Sequence, residues 1–387
     1  MNILHVISSF PPAYAYGGPV ESSYQITRNL VEQGHQVSVF TTDVLDADSR
    51  NADYSDPDYL DGIRVRRFRN LSNNLAWKAN ISTAFGIWPA LRDEIANFDV
   101  VHLHEFRSFE AAIASYEASR AGIPLVLQPR GAIPRKSKRT QKAVFDQILG
   151  KRILASSDHL IASSHIESGQ YQEVFPAVRE KSITHLPNGI EKDEYKDLPQ
   201  EGTFRAKYGI DDGSEMILYL GRLHERKGID LLIRAFEGME SGQNRDLVIV
   251  GPDDGNLTSL QQLQQQLQAK NISFTGPMYN EEKLAAYVDA DLFVLPSKNK
   301  YESFGNVVIE AMACGTPAMT TNVCGVAEWL DFEASQSVDP NPQALREGAE
   351  EILQTNIKSS SIREYVWSNF TWDTVAEGTT KIYQQVL

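Results

Sequence analysis

The stretch Tyr301-Glu-Ser-Phe-Gly-Asn-Val-Val-Ile-Glu310 sets two carboxylates, Glu302 and Glu310, around a short polar turn and an apolar run that reads as a helix. Ser303 or the residues beside it would cap that helix and leave its first N–H groups pointed at a ligand. A helix N-terminus suits phosphate, because unpaired N–H groups and the helix dipole both favour an anion. Earlier in the chain, Gly221-Arg-Leu-His-Glu-Arg-Lys-Gly228 puts Arg222 and Lys227 directly after an expected buried strand, Met216–Leu220. Arg offers a planar fork and Lys a point charge. Both would neutralise the negative charge of a diphosphate. As loop cations in solvent the pair would need no ligand; their place between a buried strand and a helix argues for one. Glu310 lies among Val307, Val308, Ile309, Ala311 and Met312. A carboxylate in such company needs partners, such as hydroxyl donors of a ligand. These residues together describe a site for a diphosphate bearing hydroxylated groups.

The pattern resembles that of the retaining nucleotide-sugar glycosyltransferases of family four, which have the GT-B fold. Glu302/Glu310 match the family's E-x7-E signature, and Gly221-Arg222 with Lys227-Gly228 match its G-R-x5-K-G signature. Further matches are Gly17-Gly18 after the first strand, Asp99-Val-Val-His-Leu-His104-Glu105, Pro187-Asn188-Gly189-Ile190 and Phe370-Thr-Trp372. They cover nearly the whole chain, in the family's order.

The resemblance implies transfer of a hexosyl unit from a nucleotide diphosphate sugar to a hydroxyl acceptor, with retention, in polysaccharide or glycolipid synthesis. By family frequency the donor would be a UDP-sugar such as UDP-glucose, with no further cofactor. The acceptor would attack on the face that the leaving group departs from, and a phosphate oxygen would take its proton. The implied catalytic residues are His104, Arg222, Lys227 and Glu302. His104 would contact the transferred sugar, His102 would be structural, and Glu302 would approach the sugar or the hydroxyls near the phosphate. The implied donor-binding residues are Gly17, Gly18, Met278, Ser303, Phe304, Gly305, Asn306, Val307 and Glu310. The base would lie near Phe274-Thr-Gly-Pro-Met278, read by backbone groups. His104 also admits a plain reading as a satisfied histidine at a strand end, and Gly17-Gly18 as a simple turn.

Positioning such residues takes an α/β scaffold. Apolar runs read as strands at Ile3–Ile7, Gln36–Thr41, Ile63–Phe68, Val100–His104, Leu125–Gln128, His159–Ala162 and Ile183–Leu186. Helical periods lie between several of them, at Val20–Gln33 and Phe109–Ala121 for instance. After Pro187-Asn188-Gly189 and a polar stretch, a second alternation has strands at Met216–Leu220, Leu247–Val250, Ile272–Phe274, Leu292–Leu295 and Ala318–Thr320. Right-handed crossovers make each set a parallel sheet with helices on both faces. The expected architecture is GT-B: two doubly wound Rossmann-like domains facing a central cleft. The expected domains are 1–194 on the acceptor side, 195–368 for the nucleotide sugar, and a terminal helix, 369–387, returning to the first.

The length of 387 residues suits two cores. A net charge of −14 argues against nucleic acid as a partner. Cys314 and Cys324 form no disulfide framework, and Cys314 reads as a buried thiol. The chain opens directly on a strand-like run and holds no apolar stretch of about 18–20 residues, so a cytoplasmic, non-integral protein is expected. From Arg130 to Arg152 stand eight cations and one acid, with Ala143, Val144, Ile148 and Leu149 as an apolar face. This segment is expected to dock peripherally on an anionic membrane, where a lipid-linked acceptor would wait; a solvated basic helix is the plainer reading. The Asp46/Asp48, Asp56/Asp58 and Asp289/Asp291 pairs make weak metal sites, and no metal is expected. Alternatives are a GT-B-fold epimerase or phosphorylase, though no lysine announces a pyridoxal site, and a silent nucleotide-sugar-binding protein. A dinucleotide oxidoreductase would need G-x-G-x-x-G where Ser8-Ser-Phe-Pro-Pro12 stands.

Overall fold

The computed structural model describes residues 1–51, 56–79, 82–134, 139–239 and 244–387. The chain divides into two compact units, one of Met1–Gly189 with Trp372–Leu387 and one of Ile190–Thr371.

The first unit is built on β1 (Asn2–Val6), β2 (Gln36–Thr42), β3 (Asp58–Leu60), β4 (Ile63–Phe68), β5 (Val100–Leu103), β6 (Leu125–Leu127), β7 (His159–Ala162) and β8 (Ser182–His185). Their order is β3-β4-β2-β1-β5-β6-β7-β8, parallel except for β3, which runs antiparallel to β4. Because successive side chains point to opposite faces, each strand feeds two cores. Leu4, Val6, Val101, Leu103, Leu125 and Leu127 pack on one side with Ile87, Leu91, Ala111 and Ala118. Those partners belong to helices Ile87–Glu94 and Phe109–Ala121. Ile3, Ile7, Val39, Val100 and Val126 pack on the other side with Ile26, Leu30, Val375 and Ile382. These come from helices Gly18–Glu32 and Trp372–Val386. Burial on both faces explains the near-continuous apolar strands. The terminal helix sits close: a Cβ on Gly189 would stand 2.7 Å from the Trp372 ring, and one on Gly378 2.7 Å from Leu186.

The second unit carries β9 (Glu215–Leu220), β10 (Arg245–Val250), β11 (Ile272–Gly276), β12 (Leu292–Leu295), β13 (Ala318–Thr321) and β14 (Ser335–Val338). Their order is β11-β10-β9-β12-β13-β14, and every pairing is parallel. Two of the four edge strands, β3 and β14, are not read from the sequence. Asp58-Tyr-Leu60 and Ser335-Gln-Ser-Val338 are short and partly exposed, so they lack the apolar run that marks a buried strand. The glutamine run lies on helix Leu257–Leu267, which buries Leu260 and Leu263 and turns most of its glutamines outward.

Candidate functional site

In the second unit the chain leaves β9 through Gly221-Arg222, makes a short turn at Glu225–Lys227, and enters helix Ile229–Glu237. Gly228 joins turn to helix at φ 71°. A Cβ there would lie 1.8 Å from the Pro296 carbonyl oxygen just past β12, so only glycine fits. This close approach puts the turn beside the segment that follows β12. Lys227 Nζ donates to Glu302 Oε2, and both side chains are about one-fifth exposed. Arg222 is far more open, with 64% of its side chain exposed, and pairs with Asp254 at 3.0 Å. The Tyr219 hydroxyl donates to the Arg222 carbonyl at 2.9 Å and steadies that backbone.

Helix Asn306–Ala313 begins at Gly305, φ 109°, and no side chain caps it. The N-cap position falls on Gly305, two residues past Ser303. The reason is space: a Cβ on Gly305 would stand 2.9 Å from both Cys324 Sγ and a Leu295 methyl. Gly325 N–H donates to the Glu302 carbonyl at 3.1 Å and Val326 N–H to the Phe304 carbonyl at 2.8 Å, so the loop is held by its backbone. Phe304 anchors it in the core, while Ser303, Asn306 and Val307 remain partly exposed. One turn into the helix, Glu310 Oε2 accepts from Lys283 Nζ at 3.1 Å and from the Tyr287 hydroxyl at 3.2 Å. Burial pushes the neighbouring Cys314 thiol up to about 12. Met278 is buried in the core of this unit, which leaves only its backbone for a base.

In the first unit Gly17 takes φ 81° as it caps helix Gly18–Glu32. Both glycines are exposed, and a Cβ on either would meet nothing within 4 Å. His104 stands just past the end of β5. It is fully buried, with Nε2 at 2.6 Å from His5 Nδ1 and Nδ1 accepting from Arg130 Nε and Nη2 at 3.3 Å. Both ring nitrogens are thus engaged inside the unit. His102, placed opposite His5 in the β1–β5 register, takes the Tyr383 hydroxyl on Nδ1 at 2.6 Å. That hydroxyl is 3.4 Å from His5 Nε2.

A permanently protonated Arg130 must donate, and this orders the rest. His104 then donates from Nε2 to His5, His5 from Nε2 to the Tyr383 oxygen, and Tyr383 to His102. Burial drives all three imidazoles below their ordinary range, His5 to about 3, and Arg130 adds to the effect. The cluster is neutral. Its nitrogens lie close enough together to suggest a metal site, yet the rings of His102 and His104 stack at 4.3 Å and 18°, which keeps their nitrogens side by side rather than convergent. The 2.6 Å between His5 and His104 is a hydrogen bond; two nitrogens on one tetrahedral zinc stand about 3.3 Å apart.

The Asp pairs are engaged locally. Asp46 closes a turn on Ser49, Asp56 pairs with Arg66 at 2.9 Å, and Asp289 caps the segment Gly202–Arg205. The connection of His5, Tyr383 and Arg130 to His102 and His104 was not read from the sequence. Glu105 accepts from the Ser8 hydroxyl, and burial with the nearby Glu110 charge raises its pKa. An apolar strand carrying a histidine, Ile3-Leu-His5-Val6, was the one signal in the sequence. Of the basic segment, Arg135, Lys136 and Lys138 lie outside the described residues. Lys151 and Arg152 are exposed, as are Val144 and Ile148, and Asp146 is held by Arg107 at 2.8 Å. No helix among the described residues is long and apolar enough to cross a membrane.

Residues 16–194 match the family model described as Glycosyltransferase Family 4, and residues 200–367 match the one described as Glycosyl transferases group 1. An uncharacterized glycosyltransferase of Methanocaldococcus jannaschii is 27% identical over 99% of this chain and 98% of its own length. Sucrose-phosphate synthase from Thermosynechococcus elongatus shares the fold with a TM-score of 0.68 at 20% identity, covering 100% of this chain and 98% of that one. The Anabaena protein HepE in complex with UDP and glucose does so with a TM-score of 0.69 at 17% identity, covering 100% of both. With the two family matches laid end to end over its two units, the chain belongs to the GT-B glycosyltransferases.

Proposed function

We propose that the protein is a retaining glycosyltransferase that moves a hexosyl unit from a UDP-sugar, glucose in the first instance, to a hydroxyl acceptor in polysaccharide or glycolipid synthesis. The observation that carries the reading is the meeting of Lys227 and Glu302 beside the helix that starts at Gly305. Lys227, the exposed Arg222 and the helix start supply positive potential for a diphosphate, and that potential acts most strongly on the charge that develops as the sugar leaves. Glu310, already holding two donors, would take the ribose hydroxyls, and Glu302 the sugar. HepE is described with UDP and glucose, which supports the choice of donor. No protein nucleophile is required when the leaving phosphate accepts the acceptor proton on the same face.

For the acceptor, the exposed Val144, Ile148, Lys151 and Arg152 would suit peripheral docking on an anionic membrane. Salt-sensitive sedimentation with anionic vesicles tests that part.

Thermal-shift titration with UDP-, GDP- and ADP-hexoses tests the donor class, since a ligand that binds only the folded state raises its apparent stability. UDP-hexoses should give the largest rise. Product made from a UDP-hexose with the anomeric configuration of the donor, seen by NMR, completes the test; an inverted product would reject retention.

A further inference from the structure

Cys314 closes helix Asn306–Ala313 at the end opposite Gly305. At about 1.5 Å per residue this puts it roughly 13 Å from the proposed diphosphate seat. Beside Cys314 the second unit holds a cavity of about 540 Å³, whose walls include Lys192, Ser359, Ser360, Arg363, Glu364 and Trp367. One wall is helix Ser359–Asn369, which no side chain caps and whose first turn carries no acid.

Arg363 and Trp367 share a face of that helix at i, i+4 spacing, and both are half-buried. The guanidinium carbon lies 5.9 Å from the centre of the Trp367 ring. Nη2 donates to the Tyr195 carbonyl at 2.7 Å, and the other N–H groups of Arg363 have no acceptor among the described residues. Lys192 brings its ammonium to 5.7 Å from the same ring centre. Neither cation has a carboxylate in contact among the described residues. Two like charges gathered at one ring repel each other, and an anion in the cavity would offset that repulsion. Arg363 would hold a phosphoryl oxygen through charge-assisted hydrogen bonds.

The volume falls within the range of small-molecule sites, about 300–1,000 Å³, and calls for an anion with an organic body. Ser359 and Ser360 offer hydroxyls, and Glu364 an exposed carboxylate that would accept from hydroxyl donors. The Trp367 indole adds a flat apolar surface. We propose that this cavity is a second ligand site, which takes a phosphorylated monosaccharide. The phosphoryl group would meet Lys192 and Arg363, the ring hydroxyls Ser359, Ser360 and Glu364, and the C–H face of the sugar Trp367. None of these residues belongs to the proposed donor site, so the inference goes beyond the proposed function and stands without it.

Glucose 6-phosphate is titrated into protein labelled with fluorotryptophan, and the fluorine resonance missing from Trp367→Phe reports the cavity. That resonance is expected to move saturably, with glucose or inorganic phosphate alone acting far more weakly. Lys192→Gln and Arg363→Gln should each weaken the response by roughly tenfold, the scale of one hydrogen bond from a charged group. Arg222→Ala/Lys227→Ala should respond as the wild type does. A resonance unmoved by millimolar ligand, or undiminished responses in Lys192→Gln and Arg363→Gln, overturns the inference. An equal response to inorganic phosphate rejects the sugar and overturns it too. So does a response lost in Arg222→Ala/Lys227→Ala, which would put the ligand in the donor site. Should Arg363→Gln fail to fold, Lys192→Gln, at an exposed position, decides.

Discussion

Lys227 and Glu302, 75 residues apart in sequence, form an ion pair that joins the two signature segments of the second unit. Gly228 forces the contact, since its close approach to Pro296 fixes where the lysine leaves the chain. In this state the carboxylate holds the cation that a diphosphate would claim. Glu302→Gln should therefore bind UDP at least as tightly as the wild type, while transfer falls by roughly 10²–10³, the range for losing one group that acts on the transition state. Calorimetry and a transfer assay on the same preparation separate the two effects. UDP affinity falling in step with transfer would reject this division of labour.

Glu310→Gln keeps the shape of the side chain but removes the charge beside Lys283. Hydrogen bonds to charged groups contribute about 1.5–3 kcal/mol, so donor affinity should drop by roughly 10- to 150-fold on that scale. A donor lacking the ribose 2′- and 3′-hydroxyls should lose little. Equal losses for the two donors would move the ribose elsewhere.

Gly228→Ala meets both a positive φ and the Pro296 carbonyl. Strain and overpacking together should cost about 2–5 kcal/mol, read as a lower urea midpoint for the unfolding of the second unit. Gly18→Ala, with open space around its Cβ and no positive φ, should change stability by no more than about 0.5 kcal/mol. Similar midpoints for the two variants would contradict the packing described here.

The histidine cluster makes stability depend on pH in a definite direction. In the unfolded chain His5, His102 and His104 take up protons below about 6.5; in the folded protein burial resists this, for His5 down to about 3. The unfolded state binds more protons between those values, so stability is fully present above pH 6.5 and is lost as pH falls toward 3. Urea unfolding at a series of pH values should show this slope. His5→Gln should reduce it by about one proton near pH 5, and an unchanged slope would show that the cluster is not neutral.

Much of this architecture was legible in the sequence. The buried parallel strands announced themselves as apolar runs, and Glu302, Glu310, Arg222 and Lys227 stood at recognisable spacings. The edge strands β3 and β14 did not, because one-sided burial leaves a short segment without an apolar signature. The cap at Gly305 was hidden for a different reason: it depends on how closely Cys324 and Leu295 approach the backbone, which no local pattern records. His104 was placed on the right strand, but its environment comes from β1, β6 and the terminal helix. Tyr383 lies 378 residues from the histidine it approaches on β1. Such a partnership is made by the fold alone.

The central claim is that Arg222 and Lys227 hold the diphosphate of a nucleotide-sugar donor. Its most direct test is equilibrium binding of UDP-glucose to the wild type, Arg222→Ala and Lys227→Ala, each checked for native circular dichroism. Measurable binding to the wild type is expected, with a loss of roughly tenfold to a hundredfold in each variant, the range for a charge-assisted hydrogen bond removed. Undiminished binding to both folded variants would contradict it.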